Sequence, residues 1–204
     1  MGQETKARAR IAGGETEGRL YLESDQLLFR GSGRRLAIAV KDVKGARATG
    51  GTLVLAVGAE KYEFAIGAAA QRWAERISNP RTLVQKLGVK PHSALAYLGA
   101  RDAALLAELT RAAANVAQKR TRHDYDLIFL GVEKPADLAR LDGLAASIKP
   151  NGGVWVIFPM GRSDLKDRTI IATGKSCGLV DNKVARVSDR LTGMKFVIPV
   201  HLRK

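Results

Sequence analysis

In the first part of the chain, apolar and polar residues alternate as they do in half-buried β-strands. Leu20 and Leu22 each lie between polar neighbours, so one side of this segment is apolar. Apolar positions recur between glycine-containing turns in segments 27–29, 35–40, 52–57 and 61–66. Short strands at this spacing predict a small antiparallel barrel or sandwich. Segment 42–51 is polar and contains glycine, and we predict no strand there.

A helix is expected after the last of these strands. In segment 68–77, Trp73 and Ile77 lie four positions apart and therefore share one helix face. The sequence Ser78-Asn79-Pro80 ends this helix, since proline disfavours helical continuation. We therefore predict a domain boundary at this point, with domains 1–79 and 80–204.

Beyond the boundary, compact apolar runs replace the alternation, as expected for strands that are covered on both faces. These runs are 93–98, 125–132 and 154–158. They alternate with predicted helices at 82–87, 103 to about 119, 137–148 and 164 to about 177, and a final hairpin is predicted at 183–187 and 194–200. Asp102 and Asp164 suit the N-caps of two of these helices. Strands that alternate with helices predict βαβ units.

The expected fold class is therefore α+β followed by α/β. A small β-barrel or sandwich with a C-terminal helix precedes a Rossmann-like, mostly parallel sheet that ends in an antiparallel hairpin.

Two resemblances refine this expectation. The short strands with one closing helix, which carries Trp73, resemble the pleckstrin-homology-like (PH-like) and GRAM-like superfold. The apolar run from Tyr125, a following helix and the sequence Ile148-Lys-Pro-Asn-Gly-Gly-Val-Trp resemble the fourth and fifth strands of class I methyltransferases, where a leucine-x-proline-glycine-glycine turn is typical. The part from Leu83 onward resembles uncharacterised bacterial proteins with a shortened, methyltransferase-like (Rossmann-like) fold.

The methyltransferase resemblance implies an S-adenosylmethionine site, but two of its parts differ here. In that family a glycine-rich loop after the first strand holds the methionine part, and a carboxylate after the second strand holds the ribose. The corresponding loop, 98–102, has a single glycine, Gly99. Only one predicted helix separates the first strand from Tyr125, so we expect strands two and three to be missing. We accordingly expect no cofactor and no catalytic residues.

Loops at the carboxyl ends of the predicted strands are the candidate ligand site, because open α/β sheets bind ligands at that edge. Two loops meet this condition. Their residues are Gly99, Ala100, Arg101 and Asp102 in one loop, and Pro159, Gly161, Ser163 and Asp164 in the other.

Charge adds a second candidate site. The 204 residues include 34 Lys and Arg against 20 Asp and Glu, a net charge of +14, which favours polyanionic partners. Aromatic residues are only 5%, so stacking on single-stranded nucleic acid is not indicated. The candidate polyanion-binding residues are Arg34, Arg35, Lys119, Arg120 and Arg122.

Cysteine and histidine add no metal chemistry, because the single cysteine and the three histidines are not at ligand spacing. The first residues contain no apolar signal segment, and no apolar run is long enough to cross a bilayer, so we expect a cytoplasmic protein without a transmembrane segment.

Three hypotheses for function follow. The leading one is a non-catalytic binding or scaffolding protein whose partner, nucleic acid or another protein, is expected to be anionic. The first alternative is a divergent S-adenosylmethionine-dependent methyltransferase or small-ligand enzyme that uses the two strand-end loops. The others are a nucleic-acid-binding module and a PH-like half that contacts anionic lipid through Arg34 and Arg35. The sequence leaves the oligomeric state open.

Overall fold

A computed structural model describes residues 3–11, 14–23, 25–113 and 115–203. The chain forms two compact units, Met1–Arg81 and Thr82–Lys204. In the described ranges, no helix is long and apolar enough to span a membrane.

The N-terminal unit is one antiparallel sheet of seven strands followed by a helix. The strands are β1 (Gln3–Ile11), β2 (Gly14–Leu22), β3 (Gln26–Gly31), β4 (Arg34–Ala39), β5 (Val43–Thr49), β6 (Thr52–Val57) and β7 (Glu60–Ala65), and the helix is α1 (Ala69–Ser78). Their order in the sheet is β4-β3-β2-β1-β7-β6-β5. A short 3-10 helix, Val40–Asp42, connects β4 to β5.

The core of this unit lies on one face of the sheet, as the alternation predicts. Leu20, Leu53 and Phe64 are fully buried, and α1 adds Trp73 and Ile77 to the same cluster. Polar residues on the opposite face form ion pairs across β1, β2 and β7.

Most of segment 42–51, where the pattern predicts no strand, forms strand β5. Ala46 and Ala48 of this strand pack against the core cluster. The Ser78 hydroxyl at the end of α1 donates a hydrogen bond to the Ala46 carbonyl at 3.1 Å. The small alanine side chains give little hydrophobic signal, although they leave room for the helix above them.

The C-terminal unit is a mixed six-stranded sheet with helices on both faces. Its strands are β8 (Leu95–Gly99), β9 (Val116–Ala117), β10 (Tyr125–Gly131), β11 (Ile148–Pro159), β12 (Val180–Arg186) and β13 (Leu191–Val197). The helices are α2 (Leu83–Leu87), α3 (Ala103–Ala113) and α4 (Asp167–Ser176). The sheet order is β12-β13-β11-β10-β8-β9. Strands β9, β8, β10 and β11 are parallel, whereas β13 is antiparallel to both of its neighbours.

Each face of this sheet has its own core. One core includes Ile170 of α4 with Phe196 of β13, and the other includes Leu109 of α3 with Phe129 and Trp155. The indole nitrogen of Trp155 donates to the Leu87 carbonyl at 2.9 Å, which ties α2 to β11. Burial on both faces explains why the central strands show apolar runs without alternation.

Three expectations for this unit are wrong in detail. Helix α3 ends at Ala113, and Val116 and Ala117 then pair in parallel with Leu95 and Ala96. A short strand therefore lies between β8 and Tyr125, where both intervening strands were expected to be missing. Segment 137–148 is not an α-helix but mainly two 3-10 helices, Pro135–Leu141 and Ala145–Ser147. Gly143, with a φ of 70°, interrupts the segment between them.

The third error concerns Asp164, which does not cap α4. The helix begins at Asp167, and the Asp164 carboxylate is instead paired with Arg162.

Candidate functional site

A cleft opens at one edge of the C-terminal sheet. Because β8, β10 and β11 are parallel, their carboxyl ends, at Gly99, Gly131 and Pro159, come together at this edge. The cleft has a volume of about 200 Å³ and lies between the loop after β8 and the ends of β10 and β11. This is the edge at which open α/β sheets bind ligands.

The structure brings four of the eight sequence-predicted loop residues to this cleft. They are Ala100, Arg101, Asp102 and Pro159. Gly161, Ser163 and Asp164 are exposed residues that follow β11 and do not line the cleft. Arg162 donates two hydrogen bonds to Asp164, and these bonds lower the pKa of that carboxyl group.

Gly99 allows the loop after β8 to approach the end of β10 closely. Its φ is 74°, and a Cβ at this position would lie 2.3 Å from the Gly131 carbonyl oxygen. A Cβ on Gly131 would in turn lie 1.5 Å from the Ala100 carbonyl oxygen. The two glycines therefore allow the loop after β8 to lie directly against β10, where the Ala100 N–H donates to the Gly131 carbonyl at 3.1 Å.

Tyr97 is the most buried of the polar and charged side chains that line the cleft. The residue is 1% exposed, and its hydroxyl accepts a hydrogen bond from the Asp102 N–H at 3.0 Å. Burial raises the pKa of Tyr97, so the hydroxyl keeps its proton at neutral pH. Within the described ranges this proton has no hydrogen-bond acceptor, so it is available to a ligand.

Asp102 caps α3, as the sequence predicts. One of its carboxylate oxygens accepts a hydrogen bond from the Leu105 N–H at 2.8 Å, which fixes the start of the helix beside the cleft. The exposed guanidinium of Arg101 comes from the same loop.

Glu133 forms the opposite rim of the cleft. It is exposed, and its backbone is held by Asp137, which accepts hydrogen bonds from the Glu133 and Lys134 N–H groups at 3.0 and 3.1 Å. These bonds lower the pKa of Asp137. The cleft thus combines a hydroxyl donor, a guanidinium and two carboxylates, which suits a small polar ligand that carries both charges.

Six residues of the cleft were not among the candidates. They are Tyr97, Gly131, Val132, Glu133, Ile157 and Leu191. Two signals in the sequence point to some of them: Tyr97 carries the phenolic hydroxyl of an otherwise apolar run, and Glu133 directly follows a buried strand.

A larger depression of about 460 Å³ lies on the N-terminal unit, beside the turn of Gly50 and Gly51. Its lining consists of alanine and glycine with Thr49 and Gln71. This surface offers no charged group, so it is a weaker candidate for specific recognition than the cleft.

The five residues proposed to bind polyanions are engaged to different degrees. Arg34 donates to the Ile11 carbonyl at 2.7 Å, and Arg120 donates to the Gly143 carbonyl at 3.3 Å. Arg122 is paired with Asp124, and this hydrogen bond raises the pKa of the guanidinium. The hydrogen bonds of the described residues leave the side chains of Arg35 and Lys119 free for solvent.

In the described part of the chain, no three His, Cys, Asp or Glu residues lie together as metal ligands would. Cys177 is a free, partly buried thiol.

The solved structures that resemble this chain include S-adenosylmethionine-dependent methyltransferases. No protein-family model and no curated protein matches the sequence.

Two of these structures match over the same share of the chain. A ribosomal protein L11 methylase from Lactobacillus delbrueckii subsp. bulgaricus is 15% identical with a TM-score of 0.44, over 57% of this chain and 74% of its own. A methyltransferase from Aquifex aeolicus is 13% identical with a TM-score of 0.43, over 57% of this chain and 88% of its own. A third structure, an O-methyltransferase from Thermotoga maritima, is 9% identical with a TM-score of 0.44, over 96% of this chain and 93% of its own.

Proposed function

We propose that the C-terminal unit binds a small polar ligand in the cleft, as a small-ligand enzyme or divergent methyltransferase would. The observation that carries this proposal is the Tyr97 hydroxyl, which has no acceptor among the described residues and belongs to a cleft that Arg101, Asp102 and Glu133 also line. A non-catalytic scaffold has no need for a buried donor without an acceptor, because such a group is costly unless a ligand completes it.

S-adenosylmethionine bound in the manner of class I methyltransferases does not fit these residues. Gln118 and Lys119 follow β9, where the family has its ribose-binding carboxylate. A Cβ on Gly99 would meet the Gly131 carbonyl oxygen, so this glycine allows the loop to pack against β10. The cleft, at about 200 Å³, is also smaller than pockets that enclose whole cofactors, which begin at about 300 Å³. We therefore derive no methyl-transfer step.

The ligand that suits the cleft is a zwitterion of about the size of an amino acid. Its carboxylate would accept from the Tyr97 hydroxyl and pair with Arg101, and its ammonium would pair with Glu133 or the second oxygen of Asp102. The amino-acid end of S-adenosylmethionine has this chemistry, so that molecule, its demethylated product, free methionine and adenosine form the first test set.

Isothermal titration of the full chain with these four compounds tests the proposal. We expect binding of the compounds that carry an amino-acid group and none of adenosine. Tyr97→Phe and Arg101→Gln should each weaken binding by about tenfold, since each removes one hydrogen bond to a charged group. Arg168→Gln, an exposed change on α4 outside the cleft, is the matched control and should bind normally.

Two outcomes would contradict the proposal. Equal binding by the Tyr97→Phe variant and the native chain would remove the observation on which it rests. Binding of adenosine alone would show that the recognised group is not zwitterionic. Transfer of a labelled methyl group to an acceptor would decide for the methyltransferase alternative.

For the N-terminal unit, we propose a PH-like domain, with 1–79 and 80–204 as separate domains. The order β4-β3-β2-β1-β7-β6-β5, followed by a single helix that carries Trp73, supports this assignment.

A further inference from the structure

Three cationic side chains lie together at the far end of the C-terminal sheet. Lys183 of β12 and Lys195 of β13 are directly opposite each other in the register of the two strands. Arg203 follows the 3-10 helix Val200–Leu202, and its charge also acts on Lys195. We call Lys183, Lys195 and Arg203 the cation cluster.

The described residues do not neutralise the cation cluster. Lys183 donates to the Lys86 carbonyl and Arg203 donates to the Ile198 carbonyl, so both are held by neutral acceptors. Lys195 makes no hydrogen bond within residues 3–11, 14–23, 25–113 and 115–203, and no carboxylate there acts on its charge.

Lys195 is also confined. The residue is partly buried, and its side chain crosses Gly153 so closely that a Cβ there would lie 2.5 Å from Lys195 Cε. Burial and the charges of Lys183 and Arg203 together lower the pKa of Lys195. Like charges opposite each other across two strands destabilise a sheet. The fold therefore holds three positive charges together at a cost that a bound anion would offset.

We propose that the cation cluster binds the phosphate group of an anionic ligand. A phosphate dianion balances more of the three charges than a carboxylate or chloride ion does, and a guanidinium can hold two phosphate oxygens at once. Exposed Lys183 leaves the site open to solvent on one side.

This site is separate from the cleft. Lys195 is opposite Trp155, whereas the cleft lies beyond that residue, at Pro159 and Leu191. If phosphate does not bind at the cation cluster, the proposed ligand binding in the cleft is not affected. If no ligand binds in the cleft, the proposal for the cation cluster is likewise not affected.

Thermal unfolding and isothermal titration of the full chain with inorganic phosphate test the inference, with chloride at the same ionic strength as reference. We expect phosphate to stabilise the native chain and Lys195→Met to weaken phosphate binding by about tenfold or more. In phosphate-free buffer, Lys195→Met should be at least as stable as the native chain, because it removes charge repulsion. Lys175→Met, an exposed change on α4 with the same loss of charge, should keep native binding.

A short double-stranded oligonucleotide distinguishes a nucleic-acid backbone from a small phosphorylated ligand. Binding that is stronger than that of phosphate, and lost in Lys195→Met, would assign the site to nucleic acid. Phosphate binding without oligonucleotide binding would assign it to a small ligand. An equal response of the native chain and Lys195→Met to phosphate would overturn the inference. Should Lys195→Met fail to fold, Arg203→Gln gives the same comparison.

Discussion

Replacing Gly131 by alanine tests how the loop after β8 is held against β10. The new methyl carbon would lie 1.5 Å from the Ala100 carbonyl oxygen and 2.6 Å from the Ala100 carbonyl carbon. Both atoms belong to the backbone, so no flexible side chain can move to relieve the contact. The loop must shift, and the hydrogen bond from Ala100 N–H to the Gly131 carbonyl is strained or lost.

The magnitude follows from these two effects. A lost hydrogen bond costs about 1 kcal/mol, and forcing extra volume into a packed site costs about 1–3 kcal/mol. Alanine recovers about 0.5–1 kcal/mol, because it restricts the unfolded chain more than glycine does. We expect a net loss of about 2–3 kcal/mol. With a urea dependence of about 1.5–2 kcal/mol per molar, the midpoint of unfolding should fall by roughly 1–2 M.

The two tryptophans allow this unit to be followed by itself. Trp73 belongs to the N-terminal unit and Trp155 to the C-terminal unit. The Trp73 indole nitrogen has no hydrogen-bond partner in the described structure, so phenylalanine at this position removes no hydrogen bond. In a Trp73→Phe background, the fluorescence of Trp155 reports urea unfolding of the C-terminal unit.

Gly161→Ala is the matched control for Gly131→Ala. Gly161 has a φ of 76° and open space where a Cβ would lie, so alanine should cost only about 1 kcal/mol for its left-handed conformation. If Gly131→Ala lowers the midpoint no more than Gly161→Ala, the close approach of the loop to β10 is not present in solution. A bulky residue at position 99 would disturb the same contact between the loop and β10. Loss of ligand binding in a Gly99 variant would therefore not show that Gly99 itself contacts the ligand.

Two further predictions concern charge and packing in the same unit. Burial by itself raises the pKa of Asp126, but hydrogen bonds from Lys149 Nζ and the Ala94 N–H outweigh it, and the pKa is lowered overall. The stabilisation is therefore complete above the usual carboxyl pKa of about 4 and is lost as the pH falls through the lower folded value. The urea midpoint of Asp126→Asn should depend less on pH between 5 and 2 than that of the native chain, and parallel profiles would contradict this. Gly174→Ala should lower the free energy of unfolding by about 1 kcal/mol, measured by urea unfolding. The new Cβ would lie 2.2 Å from the buried Phe196 ring, and this overpacking outweighs a helix-propensity gain of about 1 kcal/mol. A stabilised Gly174→Ala, or an equal loss in a Phe196→Leu background, would refute this reasoning.

Residue periodicity predicts most strands because burial on one or both faces leaves a direct mark on the sequence. Leu20 and Leu22 alternate with polar neighbours and are buried, as expected. Asp102 caps α3 because its short side chain reaches the backbone of the first turn, which is a local interaction that sequence spacing captures.

The errors arise where a distant contact outweighs the local pattern. Val116 continues the apolar stripe of Leu105 and Leu109, yet it pairs with Leu95 instead of extending α3. Strand β8 otherwise has a free edge there, and pairing satisfies its backbone groups. Helical spacing does not contain this information, because the partner lies about twenty positions earlier in the chain.

For the candidate sites, too, chain order predicts some features, whereas contacts between distant residues are not predicted. Order along the chain places Ala100 to Asp102 and Pro159 at one edge, since the carboxyl ends of parallel strands meet. It does not show that Arg122 is paired with Asp124 or that Arg34 is held by a carbonyl. The pairing of Lys183 with Lys195 depends on a register shift between Asp181 and Lys183, so it too is hidden in the sequence.

The position of β13 has a consequence for synthesis of the chain on the ribosome. β13 lies between β11 and β12 although it follows both of them along the chain. While β13 is still inside the ribosome, β11 therefore keeps one edge unpaired, and β12 has no partner in its sheet. The N-terminal unit contains all of its own strands and can fold during synthesis. We expect the C-terminal unit to depend on chaperones in that interval, because an unpaired apolar strand favours aggregation.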